Sequence, residues 1–147
     1  MSVVVGATVA FASMAVLAPG TLAGEPIRIG VSGPFTGGSS PMGVAMRDGI
    51  RLAAQEINAA GGILGRPLRL IERNDEASPE HGAQIAQELI NREKIVAGLG
   101  IVNTGVALAS QRFYQQAHLP MITSVATGSI ITKQFLPPQY PDNYIFR

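Results

Sequence analysis

Hydroxyls, small residues and backbone amides make up the three segments of this sequence best suited to chemistry. They are Gly33 to Met42 (GPFTGGSSPM), Ile101 to Gly105 (IVNTG) and Ser124 to Ser129 (SVATGS). Each follows a short apolar run and leads into a helical pattern. Loops of that kind end in helix N–H groups that lack intrahelical partners and carry partial positive charge. Such groups hold a carboxylate without an Arg. No Arg or Lys falls in the three segments: Arg28 precedes them, and Arg47 and Lys133 lie within helical patterns. A phosphate or dicarboxylate normally recruits such a cation. The loops therefore suit a zwitterionic, mostly apolar ligand, with Met42 and Val125 facing its side chain. Taken singly, Thr104, Ser124 and Thr127 read equally well as helix caps; three at one sheet edge favour a site.

Other chemistries lack their motifs. Gly33 and Gly38 have the spacing of a P-loop, but Ser39 stands where the phosphate-neutralising Lys must be. A dinucleotide fingerprint is also missing, since Asp75 lies far beyond the ~20 positions expected after the glycines. His81 and His118 have no ligand partners at metal spacing. No serine sits in a G-x-S-x-G elbow. Asp75 and Glu76 are adjacent and point apart, so capping of the following helix or its loop suits them better than acid–base work. Neither a cofactor nor a metal is expected, and the reading is of a non-enzyme.

The elements that must position these loops follow from hydrophobic period. Ile27 to Ser32 reads as a strand. Ser40-Pro41 caps a helix with Met46, Ile50, Ala53 and Ile57 inward, ended by Gly61-Gly62. After the turn Gly65-Arg66-Pro67 comes a strand over Leu68 to Glu72. Ser78-Pro79-Glu80 caps a second helix with Ile85, Ala86, Leu89 and Ile90 buried. Ile95 to Leu99 is a third strand, apolar enough for the middle of a parallel sheet. Asn103-Thr104 caps a third helix with Val106, Ala109, Phe113 and Ala117 inward. Leu119 to Thr123, Ser129 to Phe135 and Tyr144 to Phe146 follow as strand, short helix and strand. Strands alternating with helices predict an α/β fold, a parallel sheet with helices on both faces. Ligands of such sheets bind at the carboxyl ends of the strands.

Composition narrows the partners. The 147 residues suffice for one domain and carry a formal net charge of +1 and no Cys. That balance gives no field for nucleic acid, and disulfides and thiolate chemistry are excluded. Residues 1–24 contain no charged side chain, and Val3 to Leu17 is an apolar run of signal-peptide length. Pro19-Gly20 breaks the run, and Thr21-Leu22-Ala23 supplies small residues for cleavage after Ala23 or Gly24. The basic residues that usually open such a leader are missing; a buried strand or helix is the alternative. Residues 25–147 are then the folded part.

The wording of that part is specific. Gly33-Pro34-Phe35-Thr36-Gly37, Ile57-Asn58-Ala59-Ala60-Gly61-Gly62-Ile63-Leu64-Gly65, Asn74-Asp75, Val96-Ala97-Gly98, Leu119-Pro120-Met121-Ile122-Thr123-Ser124 with Ala126-Thr127, and Tyr144-Ile145-Phe146-Arg147 form the pattern. Together they closely resemble the leucine/isoleucine/valine-type periplasmic binding proteins that feed ABC importers. The resemblance covers nearly all of residues 27–147. It implies a periplasmic binding protein type I lobe with a flavodoxin-like sheet, here only the amino-terminal of two lobes, so that the chain looks truncated before the second. It implies residence in the periplasm and, through the full-length protein, an ABC permease partner in the inner membrane. It also implies an amino-acid or amide ligand, held by Asn103, Thr104 and Gly105 after the third strand and by Ala126 and Thr127 after the fourth. Met42 takes the place of the side chain that the first loop brings over the ligand. Val102-Asn103-Thr104 stands where many relatives carry serines, and Met42 where an aromatic residue is common. Branched-chain amino acids, other amino acids, amides and aromatic acids all remain open as ligands. A ligand-sensing lobe of a receptor or regulator, and a flavodoxin-like or Rossmann-like enzyme fragment, are the competing functions.

Overall fold

The computed structural model describes residues 24–147; the expected leader lies outside them but for Gly24. Strands and helices alternate: β1 (Ile27–Gly33), α1 (Ser40–Ala59), β2 (Leu68–Asn74), α2 (Pro79–Asn91), β3 (Ala97–Gly100), α3 (Thr104–Gln116), β4 (Met121–Thr123), α4 (Ile130–Lys133) and β5 (Ile145–Phe146). All five strands are parallel, in the order β2-β1-β3-β4-β5. The chain thus moves one way from β1 to β2 and then back past β1 through β3, β4 and β5. The carboxyl ends of β1, β3 and β4 lie side by side, which places the three hydroxyl-rich loops along one edge.

Local chemistry accounts for the boundaries. The Ser78 hydroxyl accepts a hydrogen bond from the His81 amide and caps α2. Gly61 and Gly62 take positive φ, and Gly62 N–H returns to the Ile57 carbonyl at 2.9 Å, closing α1. Asn58 then clasps both backbone groups of Leu68, at 2.9 and 2.7 Å, and sets the start of β2. β3 begins two residues later than its apolar run suggests. Ile95 is turned instead onto the end of α2, where its N–H meets the Leu89 carbonyl and its side chain joins the core. The helix expected over Ser129 to Phe135 is one turn, α4, and β4 and β5 are shorter than expected.

The main core lies between the sheet and the α2–α3–α4 side: Ile71, Ile85, Leu89, Val106, Tyr114, Met121, Ile131 and Ile145. Full burial of a residue such as Leu89 contributes about 1.5–3 kcal/mol. Two expected faces need correction. On α3 the buried residues are Val106, Ala107, Ser110, Gln111, Tyr114 and Gln115; Ala109 and Phe113 are only half-buried and Ala117 is exposed. Ser110 turns inward onto the Val106 carbonyl of its own helix and Gln111 onto the Gln134 side chain, while Gln115 serves backbone groups of the irregular segment before β5. Gln115 donates to the Asp142 carbonyl at 2.7 Å and accepts from Tyr144 N–H at 3.0 Å. On α1 only Gly43 and Ala54 are buried; Met46 and Ile50 are half-buried, while Ala53 and Ile57 are exposed. The row Val31, Leu99, Ile122 and Phe146 runs across the sheet beneath α1's side. α1 covers Val31 fully, but Ile122 and Phe146 are 43% and 48% exposed. One helix is too narrow to cover that face, so its apolar stripe is only partly buried.

Candidate functional site

The turn from β3 into α3 is the centre of the site edge. Gly100 and Ile101 both have positive φ, 118° and 59°. For a β-branched residue that backbone is strained. It is held by the buried Ile101 side chain and by an N–H bond to the Ser32 carbonyl at 2.8 Å. The turn delivers Asn103 as the residue before α3, and the first intrahelical bond is Ala107 N–H to the Asn103 carbonyl. The amides of Thr104 and Gly105 therefore precede the helical ladder and have no acceptor within it.

The three loops are knitted together. Asn103 Nδ2 donates to Ser39 Oγ across a long 3.4 Å, linking the β3 loop to the β1 loop, while Asn103 Oδ1 is buried without a partner among the described residues. Ser124 N–H and Ala126 N–H bond to the carbonyls of Gly100 and Ile101 at 2.8 and 3.3 Å, tying the β4 loop to the β3 turn. Thr104 packs against Gly128 so closely that a Cβ there would lie 2.5 Å from the threonine methyl. Met42, 52% exposed in the first turn of α1, shares an open groove of about 560 Å³ with Met46, Ile50, Ser124 and Val125. Met42 lines this groove, and Asn103, Thr104, Ala126 and Thr127 lie in the adjoining β3 and β4 loops, which the contacts to Ser39, Gly100, Ile101 and Gly128 hold together. Gly105 is exposed on the side of α3 facing Pro79. Ala126 is buried and its N–H is already engaged, so only its carbonyl remains.

Below this surface, Asp75 is fully buried. Its carboxylate accepts from Ser32 Oγ at 3.1 Å and from Ala77 N–H at 3.0 Å. Burial pushes its pKa up, against the opposing pull of those two bonds and the His81 charge. It braces the β1 and β2 ends and the turn at Ala77, while the cap of α2 is Ser78. Glu76 turns away to pair with His81 at 3.2 Å. Among the described residues no group of three metal-ligating side chains is assembled.

A helix amino end and two hydroxyl-bearing loops at the switch point of a parallel α/β sheet suit capture of a small anion. The sequence also matches the family model described as periplasmic binding protein over residues 26–147. The chain belongs to the periplasmic binding protein family. Among relatives of this binding-protein lobe is the Leu/Ile/Val-binding protein homolog 3 of Brucella melitensis, 33% identical over 92% of the chain and 34% of the relative. The branched-chain amino acid transporter substrate-binding protein LivJ of Streptococcus pneumoniae, solved with isoleucine, superposes with a TM-score of 0.72 at 29% identity. That match covers 74% of this chain and 31% of the other. A solute-binding protein of an ABC transporter from Rhodopseudomonas palustris, solved with 3,4-dihydroxybenzoic acid, gives 0.69 at 30% identity over 74% and 30%. The binding-protein lobe spans about a third of the length of these relatives.

Two features of the edge escaped sequence reasoning. The positive φ of Ile101 leaves no mark in residue type. Arg147 donates from Nη1 to the Thr127 carbonyl, bringing a cation to loops that contain none. Strand register is the signal for it: Ile122 pairs with Phe146, so residue 147 falls level with Thr123, the last residue of β4.

Proposed function

We propose that this lobe forms half of the ligand cleft of an extracytoplasmic substrate-binding component of an ABC importer. Its ligand is a branched-chain or related amino acid, and it catalyses no reaction. The observation that supports the reading is the β3–α3 turn, which leaves the first amides of α3 without helical acceptors and packs Thr104 against Gly128 of the β4 loop. Isoleucine and 3,4-dihydroxybenzoic acid, the ligands of two similar structures, share one carboxylate. A carboxylate is what this edge is built to receive. The open groove beside Met42 and Val125 favours an apolar side chain. An ABC permease is the partner of the full-length protein.

In a protein that joins this lobe to its second, Thr104→Ala should weaken L-leucine binding by roughly 1–3 kcal/mol, the cost of an under-bonded charged acceptor. Thr104→Ser should bind nearly as the parent does. Equilibrium titration with L-leucine, 4-hydroxybenzoate and glucose tests both points. An unaffected Thr104→Ala, or glucose bound more tightly than either carboxylate, would refute the reading.

Residues 1–24 act as the export leader in this proposal, on the strength of the Val3–Leu17 apolar run and the small residues before Gly24. Mass spectrometry of periplasmic material should find a mature chain beginning at Gly24 or Glu25. Intact chain retained in the cytoplasm would overturn that assignment.

A further inference from the structure

We infer that Asn74 is a positioning residue of this site, pinning the β1 loop so that Met42 is held ready over the ligand's side chain, an inference that rests on the reading above. Two motifs of the sequence, Gly33-Pro34-Phe35-Thr36-Gly37 and Asn74-Asp75, meet at this one side chain. Asn74 closes β2 and pairs in register with Gly33, the last residue of β1. Its Oδ1 accepts from Phe35 N–H at 2.8 Å and from Glu76 N–H at 3.2 Å. Its Nδ2 donates to Thr36 Oγ1 at 2.8 Å. Both ends of the amide are therefore used, and each reaches the β1 loop.

The loop has little else to fix it. Among the described residues, no other hydrogen bond joins Phe35 or Thr36 to the rest of the lobe. Gly37 and Gly38 carry no side chain, and a Cβ at either would meet nothing within 4 Å. Beyond them the chain turns into α1, where Gly43 packs on the Pro34 carbonyl and the Arg47 guanidinium lies 5.0 Å over the Phe35 ring. The remaining polar link is the long bond from Asn103 to Ser39. Asn74 is thus the fixed point from which the loop carries Ser39 to Asn103 and Met42 to its groove with Val125. β2 is the edge strand, with β1 between it and β3, so Asn74 acts on the site through the loop. A ligand that must first order a loose loop binds more weakly. The loss falls on ligands with a side chain for Met42 to cover.

The test uses the chain itself, with NMR titration of L-leucine and of L-alanine against the parent, Asn74→Ala, Asn74→Asp and Thr36→Val. Asn74→Ala should bind leucine about fivefold more weakly, the cost of ordering a loop side chain on binding, while alanine affinity stays within about twofold. Asn74→Asp keeps an oxygen for the Phe35 and Glu76 N–H groups and offers its other oxygen to the Thr36 hydroxyl. It should therefore bind leucine nearly as the parent does. Thr36→Val removes one bond from the loop side and leaves β2 intact, and should weaken leucine binding about threefold. Parental leucine affinity in Asn74→Ala, or in Thr36→Val where Asn74→Ala does not fold, overturns the inference and leaves the proposed function standing. So does equal weakening of leucine and alanine, or an aspartate variant as weak as the alanine one. A parent that does not bind leucine overturns the proposed function, and this inference with it.

Discussion

Asp75 joins the ends of β1 and β2, and its ionisation works against folding. Its folded pKa lies above that of an exposed Asp because burial disfavours the charged form. The stabilisation that goes with the neutral group is complete below the unfolded pKa and is lost as pH rises through the folded value. An Asn in its place keeps an oxygen for the Ala77 N–H and offers Nδ2 to Ser32 Oγ. Asp75→Asn should therefore be at least as stable as the parent at neutral pH, and its stability should fall less between about pH 4 and pH 7. Urea unfolding at several pH values reads this directly; a variant clearly less stable than the parent at pH 7 would contradict it. At this scale much was legible. The Ser78 cap, the double-glycine stop and the meeting of the three hydroxyl-rich loops at one sheet edge all follow from residue type and position. The strain at Ile101 and the reach of Arg147 did not, because each depends on where a distant strand places the backbone.

At the scale of elements, α1 is the most informative. At Gly43 it packs tightly on the β1 loop, where a Cβ would come within 2.1 Å of the Pro34 carbonyl oxygen. That neighbour is backbone and cannot swing aside, so Gly43→Ala must push the helix off the β1 loop. We expect a loss of about 1–3 kcal/mol, as for other overpacked sites. Because Met42 rides on the same turn, ligand affinity should fall as well. Chemical denaturation checks the first effect, and parental stability in the variant would refute the packing described. The helix period found α1 but not its buried face. A moment along one helix cannot tell how many other elements share the sheet face, and here Ile122 and Phe146 extend beyond the helix's reach. α3 misled differently. Gln111 and Gln115 look like solvent residues, yet they are buried, Gln111 against the Gln134 side chain at the end of α4 and Gln115 against the segment before β5. Such polar burial is set by tertiary need, which periodicity does not register.

For the molecule as a whole, alternation of strand and helix was enough to foresee the parallel sheet, and sheet order then brings the three hydroxyl-rich loops to one edge. The same order explains why loops far apart in sequence meet: β1, β3 and β4 are neighbours through β3. In the cleft proposed above, this lobe would enclose only one side of the ligand, whereas small-molecule sites bury most of the ligand's surface. Residues 24–147 should accordingly bind L-leucine on the order of millimolar, about −4 kcal/mol. The measurement that bears most directly on the account is a titration of the isotopically labelled chain with L-leucine, followed amide by amide. The amides of Thr104, Gly105 and Thr127 should move together and saturate in the millimolar range, while those of β2 and the amino ends of the strands stay still. Amides of that edge left unmoved at leucine concentrations well above millimolar, or shifts confined to another surface, would contradict it.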